Sequence, residues 1–266
     1  MTRQPMDTLA AFETALRGPE RWAASADDGP GDTPHTLAAL FKIRFARTPQ
    51  SLEVAEELLD RRYASRDYPR PKLVHHPHRT TILVYLETRA IATMTVGYDP
   101  GPSSACGSPP GLLADEIYGS ELDELRREGR RLGELSKFGI DEGLGLKKSV
   151  LGGIFHIAYL YGILHQCTDA VIEVVPEHVG FYRSLLGFRQ RGPVRTNPRV
   201  HAPVALLHLE LETMRERIVE VGGKKMAAGD RTLYPWFFAT AEQDEILSRI
   251  LHAASTKEEL HADLRL

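Results

Sequence analysis

Residues 169–188 read DAVIEVVPEHVGFYRSLLGF. DAVIEVVP is rich in small and β-branched apolar residues, the composition of a buried strand. EHVGFYRSLLGF is a short helical pattern closed by Gly187, a residue suited to the left-handed conformation just past a helix end. APVALLHLELE, 202–212, then alternates as a strand and ends in Glu210 and Glu212. The stretch predicts strand, short helix, strand.

Upstream, SVLGGIFHIAYLYGILHQC (149–167) is apolar on nearly every face and predicts a buried helix. GELSKFGID (133–141) reads as a strand, although it carries Glu134, Ser136 and Lys137 among small and apolar residues. GSELDELRREGRRL (119–132) reads as a charged, exposed helix. TTILVYLE (80–87) and AIATMTVGYD (90–99) are β-rich runs joined by a polar turn, a hairpin pattern. Ser51 is a suitable N-cap for a helix in which Leu52, Ala55, Leu58, Leu59 and Tyr63 recur at helical spacing. FKIRFART (41–48) alternates as a half-buried strand. This order predicts a mixed α/β sheet with helices on both faces, over residues 41–212.

Residues 1–40 read as an arm, with DTLAAFETALR as a short helix and SADDGPGDTP as a linker. Residues 213–266 hold two helical patterns, MRERIVEVG and AEQDEILSRILHAA, around the apolar knot LYPWFF (233–238). The segment is too short to bury a large core of its own, so it is expected to dock as an extension. LYPWFF fits equally a cover over a ligand tunnel or a dimer contact.

The chain has 266 residues, with 42 % hydrophobic and 26 % charged, enough for a sizeable globular core. A net charge of −3 gives no basic field for nucleic acid. Two cysteines make neither a disulfide framework nor a zinc site. No run of about 18 apolar residues and no signal-peptide pattern occurs, so a cytoplasmic protein without a membrane span is expected.

The strand–FYRSLLGF–strand arrangement resembles the acetyltransferase superfamily of the GCN5-related fold, whose members often carry a Phe-Tyr-x-x-x-Gly-Phe signature there. ELSKFGID is similar to the Glu-x-Ser-Arg-Phe motif of acyl-homoserine lactone synthases, a branch of that fold. Together with LGGIFHIAYLYG and VPEHVGFYRSLLGFRQ, the sequence looks closer still to long-chain N-acyl amino acid synthases. The resemblance implies a GCN5-related N-acyltransferase fold. It also implies transfer of a medium or long fatty acyl group from acyl carrier protein to the amine of an amino acid or similar small amine. Acetyltransferases hold coenzyme A with a glycine loop that begins at Arg or Gln. Here position 140 is Ile, which favours an acyl-phosphopantetheine carrier over acyl-CoA as donor. Lactone synthases hold a cationic substrate with acids after the first helix. Here RRYASRDYPRPKLVHHPH is basic, which suits the carboxylate of an amino acid.

Acyl transfer to an amine needs a base for the incoming ammonium and stabilisation of the oxyanion. Strand alternation predicts Glu134, Ser136 and Phe138 on one face, with Lys137 on the other. Glu134 is the candidate general base; the resemblance gives it the same role, and the bland alternative is pairing with an arginine. Ser136 serves either the substrate or local backbone. Lys137 serves either the donor or a structural pair with Asp141. Tyr182, the signature tyrosine, is the candidate acid for the departing sulfur. Lys147 and Lys148, at a helix N-terminus, suit a phosphate. Phe155 and Tyr161, with Leu151 on the buried helix, line either an acyl tunnel or plain core; Phe138 and Phe181 join the donor-binding candidates. Arg126, Arg127, Arg130 and Arg131 suit an acidic carrier protein or form a solvated helix face. His75, His76 and His78 lack the companions of a metal site, and none is assigned. His156 and His165 read as core histidines. Alternative functions are an autoinducer synthase of the homoserine-lactone type, a CoA-dependent N-acetyltransferase and an idle acyl-binding sensor.

Overall fold

The computed structural model describes residues 41–64, 68–100, 111–141, 148–224, 231–244 and 247–248. The arm 1–40, Lys147 and most of the second C-terminal helical pattern lie outside the described residues.

The alternating segments become antiparallel strands β1 (Phe41–Phe45), β2 (Arg79–Leu86) and β3 (Arg89–Tyr98). Next to β3 lies β4 (Leu132–Ile140), antiparallel to it, and then β5 (Asp169–Val174), parallel to β4. The long strand β8 (Ala202–Glu210) pairs antiparallel with β5. Two short strands that no sequence pattern announced, β6 (Arg189–Gln190) and β7 (Arg195–Asn197), pair with β8. The sheet order is β1-β2-β3-β4-β5-β8-β6, with β7 also on β8.

Helix α1 (Pro49–Ala64) covers one face of the first strands and α3 (Lys148–Leu164) the other. The pleat of β2 divides its side chains between them. Leu83 packs with Leu52, Ala55 and Leu59 of α1, whereas Ile82 and Val84 join the core that contains α3. Helix α4 (Val179–Leu186) stops where expected, at Gly187 with φ +86°, its N–H bonded to the Arg183 carbonyl at 3.0 Å. The exposed helix α2 (Asp115–Arg127) starts earlier than its charge pattern suggests and ends sooner. Gly129, at φ +79°, turns the chain, and Arg130 N–H closes onto the Leu125 carbonyl at 3.0 Å.

Helix α3 is apolar all round because it has neighbours on both sides. The sheet lies on one, and α5 (Leu211–Val221) and the LYPWFF segment lie on the other. Leu233, Tyr234 and Phe237 are buried in the main core. The contact is closest at Gly152, where an added Cβ would stand 2.5 Å from Trp236 Cβ. Gly152→Ala is therefore expected to destabilise. The helix propensity of Ala recovers about 1 kcal/mol, but overpacking a filled site costs about 1–3 kcal/mol and the Trp236 backbone is also in the way. Urea unfolding should show a net loss, and an unchanged midpoint would refute this packing. Among the described residues no helix is long and apolar enough to cross a membrane.

Candidate active site

Strands β4 and β5 pair only from Leu132 to Leu135 against Asp169 to Ile172. Beyond that they part, β4 running on beside β3 to Ile140 and β5 beside β8 to Val174. The sheet splits there into a cleft with a cavity of about 860 Å³. Leu135, Phe138, Ile140, Leu151, Ile172 and Val174 form its apolar wall. Tyr63, Tyr68, Phe181 and Tyr182 add aromatic surface, and the segment from Tyr68 to Lys72 closes one side. That segment is fastened twice: Leu73 N–H donates to Glu56 of α1 at 2.6 Å, and Lys137 Nζ donates to the Lys72 carbonyl at 2.6 Å.

Glu134 lines the cavity where the strands part, yet its residue is only 1 % exposed. Its two oxygens accept the N–H groups of Leu113 (2.7 Å) and Ala114 (2.8 Å), at the entry to α2. Burial favours the neutral acid and the two N–H bonds favour the carboxylate. Burial is the larger effect, and the acid is pushed up to about 7.

The predicted alternation fails at Lys137. The β3–β4 register slips between Thr93 and Thr95, and Lys137 takes φ +47°, a conformation that L-residues seldom adopt. Phe138 consequently packs on Phe155 of α3, ring centres 5.8 Å apart, instead of sharing a face with Glu134. Lys137 does not pair with Asp141, which Arg89 takes at 2.5 Å. Its ammonium instead holds Lys72, and burial lowers its pKa. Ser136 Oγ lies 3.5 Å from the Thr95 carbonyl and also borders the cavity.

Two cavity residues were missed from the sequence, Glu173 and Arg199. Glu173 was a lone carboxylate within an apolar strand, the same signal that singled out Glu134. Arg199 sits in the β7–β8 turn, where nothing local marks it. Its guanidinium bonds to Glu173, Glu116 and, at 3.0 Å, the Leu113 carbonyl. Asn197 Nδ2 also donates to Glu173 at 3.1 Å. Burial raises the Glu173 pKa against the opposing pull of Arg199.

Tyr182 is 6 % exposed, borders the cavity and packs edge-on to Phe155, Phe181 and Phe188. Burial raises its pKa, so its hydroxyl keeps its proton at neutral pH. Phe181 stands 43 % exposed at the rim. On α3, Leu151 faces the large cavity, whereas Phe155 and Tyr161 border a smaller space of about 30 Å³ that also touches Glu134 and Leu135. LYPWFF lines neither cavity. Lys148 opens α3, one turn before Leu151.

The arginine run leads into Leu132, the first residue of β4, at the end of the strand away from Phe138 and Ile140. Arg126 spends all five N–H donors internally, on Asp99, Asp115 and Asp123 at 2.7–3.0 Å. Arg130 bonds Glu210 at 3.0 Å and Arg131 bonds Gln166 at 2.7 Å, while Arg127 is exposed. Arg126 is thus a brace between β3 and α2 and has no donor left for a carrier protein.

His156 is fully buried, stacked on Phe237 at 4.8 Å. Its Nδ1 accepts Phe238 N–H at 2.7 Å, and Nε2 lies 3.2 Å from Gln243 Oε1. Among the described residues no group of His, Cys, Asp and Glu side chains is arranged to hold a metal ion.

No curated protein matches this chain. Among solved structures it is similar to that of FeeM, an N-acyl amino acid synthase from uncultured soil microbes. The TM-score is 0.56 at 23 % identity, over 66 % of this chain and 94 % of that one. It is also similar to a crystal structure of the AHL synthase LasI, with TM-score 0.47 and 12 % identity over 64 % and 90 % of the two chains. The family model for the N-acyl amino acid synthase FeeM matches residues 54–210, from within α1 to the end of β8. That span contains the split sheet, Glu134, Tyr182 and the cavity wall, and the chain belongs to the FeeM family of N-acyl amino acid synthases, a family of acyltransferases.

Proposed function

We propose that this acyltransferase moves a medium or long fatty acyl group from the phosphopantetheine of an acyl carrier protein to the amine of an amino acid, in the cleft between β4 and β5. The observation that carries this reading is the large, mostly apolar cavity with a buried carboxylate at its apex. The parted edges of β4 and β5 have backbone groups to spare, which suit the amides of an extended pantetheine arm. The apolar wall suits a fatty chain. Lys148, at the start of α3, is a candidate contact for the phosphate.

Glu134 acts as the base through one water, since its own oxygens are already engaged. The ammonium gives up a proton, the amine lone pair attacks the thioester carbon, and the C–N bond forms. The nitrogen sheds its second proton as the C–S bond breaks, and the thiolate takes a proton, for which Tyr182 is the candidate donor; the second proton from nitrogen restores the Tyr182 hydroxyl. In sum, ammonium and thioester give amide, thiol and one proton.

The test is to incubate the purified protein with medium- and long-chain acyl carrier protein thioesters, or the matching acyl-CoAs, and mixed amino acids. Free thiol and N-acyl products would be read by absorbance and mass spectrometry. N-acyl amino acids formed faster from the carrier protein are expected. Equal or better use of acyl-CoA would overturn the donor assignment. Acyl lactones would overturn the acceptor. No thiol release from any pair would leave an idle acyl binder.

A further inference from the structure

The cleft holds two carboxylates, and they are held differently. Glu134 has an N–H donor on each oxygen. Glu173 has its donors on Oε2 alone, from Asn197 and Arg199, and its Oε1 is buried with no hydrogen-bond partner among the described residues. A buried carboxylate oxygen without a donor is costly and calls for a partner.

Strand register puts the two acids on one face. Glu134 is aligned with Val171 across the parallel pair, and Val171 and Glu173 share a face by the two-residue pleat. Glu173 therefore stands one pleat repeat beyond Glu134, where β4 no longer covers β5. Glu173 borders the cavity.

The charges around the cavity say which donor. Arg62, Arg70, Lys72, Lys137 and Arg199 are the cations of its wall, and Glu134 and Glu173 are its only acids among the described residues. An amino acid arrives at neutral pH as a zwitterion. Its carboxylate suits the cations, and its ammonium needs an anion with a free oxygen. Each Glu134 oxygen already holds an N–H, whereas Oε1 of Glu173 holds none.

We propose that Glu173 is the receptor for the ammonium group of the acceptor, its Oε1 accepting an N–H of the substrate beside Glu134. Resting on the reading of this cleft as the acyl-transfer site, this assigns acceptor binding to Glu173 and proton removal to Glu134.

The decisive variant is Glu173→Gln, which keeps the shape and an acceptor oxygen for Arg199. A charge-assisted hydrogen bond is lost, so KM for the amino acid used best in the turnover screen should rise about 10- to 100-fold, with KM for the acyl donor unchanged. Calorimetric titration supplies a second reading, with that amino acid and with the same acid bearing hydrogen in place of the amine. Wild type should prefer the amino acid, and Glu173→Gln should bind the two alike while retaining its affinity for the deaminated acid. An unchanged acceptor KM overturns the proposal. So does equal weakening of both acids, which marks a structural role. Should Glu173→Gln not fold, Glu173→Asp decides, since it must keep a preference for the amine. A wild type that makes no N-acyl amino acid sinks the reading of the cleft as well, whereas an active wild type with an indifferent Glu173→Gln sinks this proposal alone.

Discussion

Glu134→Gln should lower the acylation rate about 10²- to 10⁴-fold, the range for removing a positioned general base. The rate of wild type should rise with pH through about 7, where the buried acid loses its proton. The sign follows from the role, because only the carboxylate can take a proton from the ammonium. Glu173 lies within electrostatic range and raises this pKa, so the limb belongs to the coupled pair. In Glu134→Gln the limb near 7 should disappear. The variant also carries a structural cost. Gln brings one acceptor oxygen to meet two N–H groups, Leu113 and Ala114, and its NH₂ faces a donor. An unsatisfied buried donor costs about 1–3 kcal/mol. Activity should therefore be compared well below the unfolding midpoint. A variant that is fully folded and retains wild-type turnover would remove Glu134 from the chemistry.

Acid should destabilise this fold through His156. Burial lowers its pKa from 6.5 to about 3. The unfolded chain binds a proton below 6.5, and the folded chain does not until about 3. Stability is thus fully present above pH 6.5 and is lost as pH falls toward 3. The whole window is worth on the order of 5 kcal/mol at 1.36 kcal/mol per pKa unit. Protonation would also place a hydrogen on Nδ1, which accepts the Phe238 N–H. The check is urea unfolding at several pH values between 6 and 4, for wild type and His156→Phe. The variant's stability should depend on pH less steeply by about 1.4 kcal/mol per unit. Parallel slopes for the two proteins would show that His156 titrates normally.

The fold was legible wherever the pattern was local. Gly187, the alternation of β1 to β3 and the all-round apolarity of α3 each follow from a few neighbouring residues. What stayed hidden depends on partners distant in sequence. Arg126 reads as a solvated helix residue until Asp99 and Asp115 are brought to it. Arg199 reaches Glu173 only because β7 and β8 fold back on β5. The facing of Phe138 depends on the β3 register, which nothing within GELSKFGID encodes. LYPWFF was visibly apolar, but its seat on α3 required Gly152 and His156, about eighty residues upstream. Glu134 stood out because a carboxylate in an apolar strand needs an explanation. The same logic, applied to DAVIEVVP, would have found Glu173.

The extra residue at Lys137 makes β4 two half-strands of opposite phase, spliced at one backbone joint. The half before the joint carries Glu134, and the half after it carries Phe138 and Ile140. The joint costs on the order of 1 kcal/mol for a non-glycine residue at positive φ. In return it puts Glu134 and Phe138, four residues apart, on opposite faces of the strand. Deleting Lys137 would therefore leave Phe138 against Phe155 and Gly139 beside Leu58 and Leu59, and would remove the positive-φ joint together with the ammonium that holds Lys72.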